Sequence, residues 1–422
     1  MSFNILLSEK QEPGKKDSKF FTMKKLILIS SLTLMALPSI SQQAIFDTSK
    51  IISPEINPDN TVTFRLYAPK AQEVEVTGDF IPVVTVDTPT GPAQLPRKAA
   101  LERRENGVWE YTTPAPLAPE LYMYSFMVDS LRMMDPSNVY MNRDVATVTN
   151  IFLIDSIGSR AHNYKVNDVP HGTVSRVWYN SPGLDKKRRM TVYTPAGYED
   201  SSDTYPVLYL LHGAGGDEEA WIALGRTAQI LDNLIAEGKA EPMIVVMTNG
   251  NPSQEAAPGE TSEGFIKPTM DVSRMNAGEF ETTFPDVVNY VDNHYRTKSD
   301  KAHRAIAGLS MGGFHSLHTS KLYPDMFDYI GLFSAAIFPF PGRDSAPVYQ
   351  DFEGKLKTQF EKSPKLYWIA IGDEDFLYND NVKFREILDA NNYPYVYFET
   401  PEGHIWKNWR IYLTEFVPQL FK

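Results

Sequence analysis

Residues 304–324 read RAIAGLSMGGFHSLHTSKLYP, and they carry the strongest structural signal in the C-terminal region. An apolar, β-rich run ends at Leu309, and a segment with helical character follows the glycines. The pentapeptide Gly308-Leu309-Ser310-Met311-Gly312 therefore occupies a strand-to-helix turn. Glycines there permit a tight, strained turn that lifts the Ser310 hydroxyl above the sheet edge, near the positive end of the helix. The motif predicts that Ser310 is a nucleophile.

A serine hydroxyl needs a base, and His404 is the best candidate among the eight histidines. It follows the strand-like run YVYFET at 395–400, so we expect it on a loop at the C-terminal end of a strand, where α/β sites are built. We expect structural roles for three others, which lie too close in sequence to the serine turn to face it: His303, His315 and His318.

The base in turn needs a carboxylate that fixes its tautomer and stabilises its protonated form. Asp373, Glu374 and Asp375 directly follow the apolar run KLYWIAIG at 365–372, so they too leave the end of a predicted strand. The chain order serine, acid, histidine is that of the α/β-hydrolase arrangement. Position alone leaves all three carboxylates open.

Two backbone N–H groups are needed to bind an oxyanion. Met311 supplies one because it directly follows the nucleophile, and the glycine-rich segment HGAGGD at 212–217 supplies the second after the run VLYLL. No Lys-Ser or Lys-Thr follows those glycines, which argues against a phosphate-binding loop, and no histidine spacing resembles a metal site. We therefore expect neither a metal nor a cofactor.

The region after about residue 170 alternates apolar strands with helical segments. The clearest strand candidates are VLYLL at 207–211, MIVVM at 243–247, RAIAGL at 304–309, YIGLF at 329–333 and KLYWIAIG at 365–372. Continuous apolar runs with helices between them predict an α/β fold, with a mostly parallel sheet and helices on both faces.

The N-terminal half has a different hydrophobic pattern. TVTFRLYA from Thr61 and the stretch 122–128 alternate apolar and polar residues, turn signals separate such runs, and no useful helical pattern precedes about residue 155. This predicts an all-β sandwich. We place the sandwich at 42–155, a linker at 156–172 and the α/β domain at 173–422.

The first 41 residues are interpreted as a leader rather than as part of the fold. Met23-Lys24-Lys25 precedes the apolar run LILISSLTLMAL at 26–37, and small residues follow before Gln42. This is the pattern of a signal peptide over 23–41, with an apolar run too short to span a bilayer. We expect cleavage near Ser41, a secreted or periplasmic protein and no stable membrane insertion.

Composition narrows the classes of partner. The chain of 422 residues carries 41 basic and 53 acidic side chains, a net charge of −12, and no cysteine. The acidic balance argues against a nucleic-acid partner, and the missing cysteines exclude disulfides and thiol nucleophiles. Nothing in the sequence indicates an oligomeric state.

Four motifs, in this order, resemble carbohydrate esterase family 1, the esterase D/feruloyl esterase family common in polysaccharide-degrading bacteria. They are HGAGGDEEAW at 212–221, GLSMGG at 308–313, IGDEDFL at 371–377 and EGHIWKNWR at 402–410. The resemblance covers roughly residues 170–422. It implies Ser310 as nucleophile, His404 as base and Asp375 as acid. From their positions we take the N–H groups of Met311 and Ala214 as the oxyanion donors. The front half resembles the immunoglobulin-like module, similar to carbohydrate-binding family 48, that precedes many such esterases.

The resemblance implies a serine esterase that removes feruloyl groups from plant cell-wall polysaccharide such as arabinoxylan. Acetyl xylan is the alternative substrate, and an inactive carbohydrate-binding protein on the same fold is the alternative of another class. For a ferulate ring we expect a hydrophobic cleft with a polar group at its far end for the phenol. The stretch Asn249 to Phe280 is either a lid over this cleft or a solvent-exposed loop. The side chains expected to contact substrate are Trp221, Phe338, Phe340 and Trp406. Three N-terminal aromatics are either a sugar platform or core: Trp109, Tyr122 and Tyr124.

Overall fold

The computed structural model describes residues 51–83, 85–88, 91–94, 97–270, 274, 277–339 and 345–422. The expected leader at 1–41, its signal peptide and its cleavage point near Ser41 lie outside these described residues, as does Phe340. Residues 52–422 form one compact unit that contains both the β-rich and the α/β region.

The N-terminal module consists of short strands joined by turns. Its strands are β1 (Glu55–Ile56), β2 (Val62–Tyr67), β3 (Val74–Gly78), β4 (Thr85–Thr88), β5 (Gly91–Gln94), β6 (Lys98–Ala100), β7 (Glu102–Arg103), β8 (Val108–Thr112), β9 (Glu120–Val128), β10 (Leu131–Met133), β11 (Met141–Asp144) and β12 (Thr147–Ile154). One sheet has the order β1-β2-β8-β7, a second has the order β11-β12-β9-β3-β6 with β10 paired to β9, and β4 pairs with β5. The prediction of an all-β N-terminal region is confirmed.

Aromatic side chains fill the space between the two larger sheets of the module. Phe64 packs edge-on against Tyr124 and Phe152, with ring centroids 5.0 and 5.6 Å apart. Trp109 and Tyr122 belong to the same buried cluster. Burial of such rings is a main source of stability for a small β-sandwich. Trp109, Tyr122 and Tyr124 are therefore core residues of the module. The alternative interpretation, that they form a platform for sugar, is wrong.

The C-terminal region alternates strands and helices. Its strands are β13 (Thr173–Ser181), β14 (Lys186–Thr194), β15 (Val207–Leu211), β16 (Ile244–Thr248), β17 (Arg304–Leu309), β18 (Tyr329–Phe333), β19 (Leu366–Gly372) and β20 (Val396–Thr400). Its α-helices are α1 (Ala220–Ala223), α2 (Thr227–Ala236), α3 (Glu279–His294), α4 (Met311–Leu322), α5 (Phe352–Glu361), α6 (Tyr378–Ala390) and α7 (Trp406–Phe416). Short 3-10 turns lie at Arg160–Tyr164, Pro182–Leu184, Lys301–His303 and Val417–Gln419.

The strands of this region form one eight-stranded sheet with the order β13-β14-β16-β15-β17-β18-β19-β20. From β16 to β20 all neighbours are parallel, whereas β14 runs antiparallel to both β13 and β16. Every parallel strand therefore ends at the same sheet edge, and the loops after β15, β17, β19 and β20 meet there.

Side chains alternate across this sheet and form two hydrophobic clusters. On β15, Leu208 and Leu210 belong to the cluster that includes residues of α1, α2 and α7. Val207, Tyr209 and Leu211 belong to the cluster that includes residues of α3, α4, α5 and α6. Helices cover both faces, which is why the central strands are continuously apolar.

The β13–β14 hairpin is absent from the strands expected above, because its sequence is rich in basic residues. Arg188 and Arg189 lie on β14 and are nevertheless buried. Arg188 Nη2 donates to the Asn251 carbonyl at 2.8 Å, and Arg189 pairs with Glu218 at 2.7 Å. These two buried arginines stabilise the hairpin through their hydrogen-bonded partners. A strand buried in this way has no local hydrophobic pattern by which the sequence could predict it.

The N-terminal module and the α/β region share a buried contact. Leu121 of β9 belongs to the hydrophobic cluster on the α7 side of the sheet, and Met123 and Ile151 pack against it. Beside them the Arg410 guanidinium donates to Glu120 Oε1 at 3.0 Å and to the Leu121 carbonyl at 2.7 Å. Both charged side chains are buried, so this ion pair is part of the joint core.

Candidate active site

Ser310 occupies the turn between β17 and α4 with an unusual backbone conformation. Its φ is 54° and its ψ is −114°. Its N–H donates to the Phe333 carbonyl at 2.9 Å, and its own carbonyl accepts from the Phe314 and Ala336 N–H groups at 3.0 and 3.1 Å. Such a conformation is strained for any residue with a Cβ, so these surrounding bonds hold it in place. It matches the elbow expected from the sequence.

The flanking glycines are required by contact rather than by flexibility. A Cβ on Gly312 would lie 2.3 Å from the Leu211 carbonyl oxygen of β15. A Cβ on Gly308 would lie 2.4 Å from the Gly312 carbonyl carbon. Because neither neighbour is a movable side chain, larger residues at these positions would displace the turn that carries Ser310.

His404 lies on the loop after β20, and its ring contacts Asp375 on the loop after β19. His404 Nδ1 is 2.9 Å from Asp375 Oδ2 and 3.1 Å from Oδ1. The Asp375 carboxylate is fully buried and also accepts the Leu377 N–H at 2.9 Å, whereas Asp373 and Glu374 are exposed. A carboxylate accepts from Nδ1–H, so His404 Nε2 is left as the basic nitrogen. Of the three carboxylates left open above, only Asp375 is in this position.

A cavity of about 660 Å³ opens at this edge of the sheet. Ser310, His404, Ala214 and Met311 all line it, with Asp375 behind the imidazole. Apolar side chains form much of the remaining wall: Val145, Met270, Leu309, Ile337, Phe338, Phe376, Leu377, Trp406 and Trp409. Asp144 and Asp380 add carboxylates to the same lining.

His212 stabilises the glycine-rich loop at 212–217 through two hydrogen bonds of its buried ring. Its Nε2 accepts the Gly250 N–H at 2.7 Å, so its Nδ1 carries the proton and donates to the Gly213 carbonyl at 2.7 Å. Burial lowers the pKa of His212 to about 4, so the ring stays neutral and keeps both bonds at neutral pH. The neutral ring thereby fixes the loop that carries Ala214.

Only some of the side chains expected to contact substrate line the cavity. Phe338 and Trp406 line the cavity, and Phe340 lies outside the described residues. Trp221 is only 1% exposed and is absent from the cavity wall. Its indole N–H donates to the Leu211 carbonyl at 2.9 Å, and its ring packs against Trp406 at 5.4 Å. The expectation that Trp221 contacts substrate is wrong, because its indole is committed to a bond beneath the site.

The sequence interpretation missed several wall residues. Phe376 is 76% exposed and its ring lies 4.6 Å from that of His404, while the Trp409 ring lies 4.9 Å from it on another side. Both lie within motifs quoted above, so their proximity to Asp375 and His404 was a usable signal. Asp144 and Val145 come from the N-terminal module, and no local motif indicates them.

The stretch proposed as a lid is only partly at the site. Met270 lines the cavity, whereas most residues from Ser253 to Pro268 border a separate, more polar cavity of about 360 Å³. Residues 271–273 and 275–276 lie outside the described residues. In the part that the structure describes, the lid interpretation rests on Met270 alone.

Two other kinds of feature are absent from the described ranges of the chain. No group of three or more histidine, aspartate or glutamate side chains there is arranged to hold a metal ion. No helix in those ranges has both the length and the apolar character needed to cross a bilayer.

Two protein-family models match parts of this chain. Residues 181–420 match the family model described as "Putative esterase". This chain belongs to that esterase family. Residues 52–141 match the model of carbohydrate-binding module 48, the isoamylase N-terminal domain. The resemblance inferred from the four motifs and the front half is confirmed, as is an esterase-type hydrolase fold behind an N-terminal module.

Individual relatives of this esterase carry related names. An endo-1,4-β-xylanase/feruloyl esterase of Xylanibacter ruminicola is 31% identical over 290 residues, which are 68% of this chain and 36% of that relative. The esterase thus spans about a third of the relative's length. A ferulic acid esterase structure from Anaeromyces mucronatus with bound ferulic acid is 26% identical, with a TM-score of 0.48 over 61% of this chain and 93% of that one. The enterobactin esterase of Shigella flexneri, 15% identical, shares the fold with a TM-score of 0.57 over 86% of this chain and 93% of that one.

Proposed function

We propose that this protein is a serine carboxylic ester hydrolase that removes feruloyl groups from plant cell-wall polysaccharide such as arabinoxylan. The observation that carries the proposal is the cavity around Ser310 and His404, whose wall holds Phe338, Phe376 and Trp409. A ferulate ring is flat and aromatic, and aromatic side chains at a cavity wall favour such a group. The name of the Xylanibacter relative, an endo-1,4-β-xylanase/feruloyl esterase, supports the same substrate class.

We assign acylation to Ser310, His404 and Asp375. The Ser310 Oγ attacks the ester carbonyl carbon while His404 Nε2 accepts the hydroxyl proton. The N–H groups of Met311 and Ala214 donate to the oxyanion that forms. The protonated His404, stabilised by Asp375, then gives its proton to the leaving sugar oxygen, and the acyl group stays on Ser310.

Deacylation repeats these steps with water. His404 Nε2 removes a proton from water, the hydroxide oxygen attacks the acyl carbon, and the same N–H groups bind the second oxyanion. The proton returns to the Ser310 oxygen and the free acid leaves. No step requires a cofactor.

The polar end of the substrate has candidate partners in the cavity. Asp144 and Asp380 contribute carboxylates to the lining, and burial raises the pKa of Asp144. A carboxylate can accept a hydrogen bond from the ferulate phenol, which matches the polar group expected at the far end of the cleft. Acetyl esters lack a group that would reach these side chains.

We also propose that the protein acts outside the cytoplasm, on polymer that cannot enter a cell. The basic and apolar run from Met23 to Leu37 supports this as an export signal. Its partners are then polysaccharide or oligosaccharide esters rather than nucleic acid, in keeping with the net charge of −12.

Hydrolysis of methyl ferulate, p-nitrophenyl acetate and acetylated xylan, compared between the wild type and Ser310→Ala, tests the proposal. We expect the wild type to prefer methyl ferulate and the variant to lose at least about a thousandfold in kcat. Ser202→Ala, a change at an exposed serine, is the matched control and should keep full activity. Preference for acetylated xylan would identify an acetyl esterase, and a wild type inactive on every ester would identify a binding protein.

A further inference from the structure

The tip of a hairpin in the N-terminal module lies in the wall of the active-site cavity. Strands β11 and β12 pair from Met141↔Asn150 to Asp144↔Thr147, which leaves Val145 and Ala146 as a two-residue turn. Asp144 and Val145 both line the cavity that contains Ser310 and His404. The module therefore supplies part of the surface that an ester would contact.

Val145 adopts a backbone conformation that its side chain disfavours. Its φ is 51°, in the left-handed region. The first position of a two-residue hairpin turn with positive φ is usually Gly, Asn or Asp, and a β-branched residue there is strained. Strained residues cluster at functional sites, where surrounding contacts hold them. A valine at this turn is thus disfavoured by local backbone energetics and requires another explanation.

The contacts of the turn give that explanation. A Cβ placed on Gly215, whose φ is 74°, would lie 2.9 Å from Val145 Cγ2, so the valine packs directly on the glycine-rich loop beside Ala214. Arg143 links the same two segments. Its Nη1 donates to the Val145 carbonyl at 3.1 Å, and its Nη2 donates to Asp217 Oδ2 at 2.6 Å.

Asp217 ends the glycine-rich loop and is almost completely buried. Its other oxygen, Oδ1, accepts the Glu219 N–H at 3.0 Å. The loop is therefore held by His212 at its start and by the Asp217–Arg143 pair at its end. A buried carboxylate that lost its guanidinium partner would favour a different loop position, because an unpaired buried charge is costly.

We propose that the β11–β12 hairpin contributes to substrate selection and to the geometry of the active site. Val145 is a specificity-determining residue that forms one wall of the ester cavity, and Arg143 is a positioning residue for the loop that carries the Ala214 N–H. The proposal rests on the proposed ester hydrolysis and extends it, because it assigns part of substrate selection to the N-terminal module.

The first test replaces Val145 by glycine, which relieves the strained backbone and removes the wall. Ser130→Gly is the matched control, since Ser130 also has a positive φ of 69° at a hairpin turn of the module but does not line the cavity. We expect both variants to melt at or above the wild-type temperature. Only Val145→Gly should lose about tenfold in kcat/KM on methyl ferulate, with a smaller loss on p-nitrophenyl acetate.

The second test separates positioning from folding. Arg143→Gln should lower kcat on p-nitrophenyl acetate about tenfold with KM within about twofold, because a displaced oxyanion donor weakens the transition state more than the bound substrate. Arg143→Lys should restore part of kcat because it restores the charge next to Asp217. Arg132→Gln, which removes only contacts to Ser125 within the module, should match the wild type.

The outcomes distinguish this proposal from the underlying function. Wild-type kinetics in both Val145→Gly and Arg143→Gln, with an active wild type, would overturn the role of the hairpin and leave the esterase intact. Activity lost only in step with a lowered melting temperature would also overturn it, as a merely structural effect. A wild type that hydrolyses no ester would overturn the proposed function itself.

Discussion

At the scale of single residues, the site depends on which carboxylate meets the imidazole. Asp375 reaches His404 Nδ1 at 2.9 Å from within a buried position, and Asp373 and Glu374 on the same loop are exposed. Their spacing in the sequence is too close to separate them, and only the fold of the loop after β19 assigns them different surroundings.

We expect Asp375→Asn to lower kcat by about ten-thousandfold, because an amide at this position favours the wrong histidine tautomer. Asp373→Asn is the matched control and should stay within a few-fold of the wild type, since its carboxylate is exposed. Steady-state kinetics on methyl ferulate measure both. A larger loss in Asp373→Asn than in Asp375→Asn would reverse the assignment.

His212 gives the fold a defined response to acid. Burial lowers its pKa to about 4, whereas an unfolded chain has a histidine pKa of about 6.5. Between about pH 4 and pH 6.5 the native state therefore binds fewer protons than the unfolded state. Its contribution to stability is complete above pH 6.5 and is lost as the pH falls towards 4.

Urea unfolding at pH 7 and pH 4.5 checks this expectation. The wild type should lose up to about 3 kcal/mol more than His212→Asn between these values. Burial also raises the pKa of Asp79 to about 6, but that group titrates in both proteins and cancels in the difference. His294→Asn, at an exposed histidine, should follow the wild type, and an identical pH dependence in His212→Asn would contradict the assignment.

At the scale of elements, hydrophobic pattern predicted the central strands well. The runs VLYLL, RAIAGL and YIGLF coincide with β15, β17 and β18 as observed. The β13–β14 hairpin was missed because its buried positions include Arg188 and Arg189, whose partners are distant in sequence. Sequence reasoning finds elements that are buried by hydrophobicity and misses those that are buried by paired charge.

We expect Arg189→Ala to destabilise the protein by about 3–5 kcal/mol, because it leaves Glu218 buried without its cation. Arg176→Ala on the neighbouring strand is the matched control. That arginine is largely exposed and pairs with Glu219, so its loss should cost less than about 1 kcal/mol. Equal unfolding free energies for the two variants in urea would contradict the role given to buried charge.

At the scale of the whole molecule, the N-terminal module and the α/β region form one unit through Glu120, Arg410 and the apolar residues beside them. The sequence predicted two separate regions with a linker, and it gave no signal that they share a core. Contacts of this kind join residues far apart in the chain, which local patterns do not report. The same limitation hid Val145 from the site prediction.

A shared core should unfold as a shared unit. We expect a single calorimetric transition for the protein, and we expect Glu120→Gln to lower the temperature of that one transition. Glu102→Gln, at an exposed position of the module, should leave it unchanged. Two transitions, of which Glu120→Gln shifts only one, would show that the regions are thermodynamically independent.

The proposed export concerns the whole chain. We expect mass spectrometry of protein recovered outside the cytoplasm to find a mature N-terminus near Gln42, without the run from Met23 to Leu37. Lys24→Glu with Lys25→Glu should retain the protein inside the cell. An uncleaved chain in the cytoplasm of its host would contradict the proposal.

The pair formed by Glu120 and Arg410 also bears on how the protein is made. The two residues lie 290 positions apart, and a ribosome adding about 5–20 residues per second needs about 15–60 s to cover that distance. During this interval the module has emerged while the helix that would cover one face of β9 does not yet exist. A nascent chain arrested before Arg410 should therefore bind holding chaperones through this open face, and release from them should coincide with synthesis of the last helix.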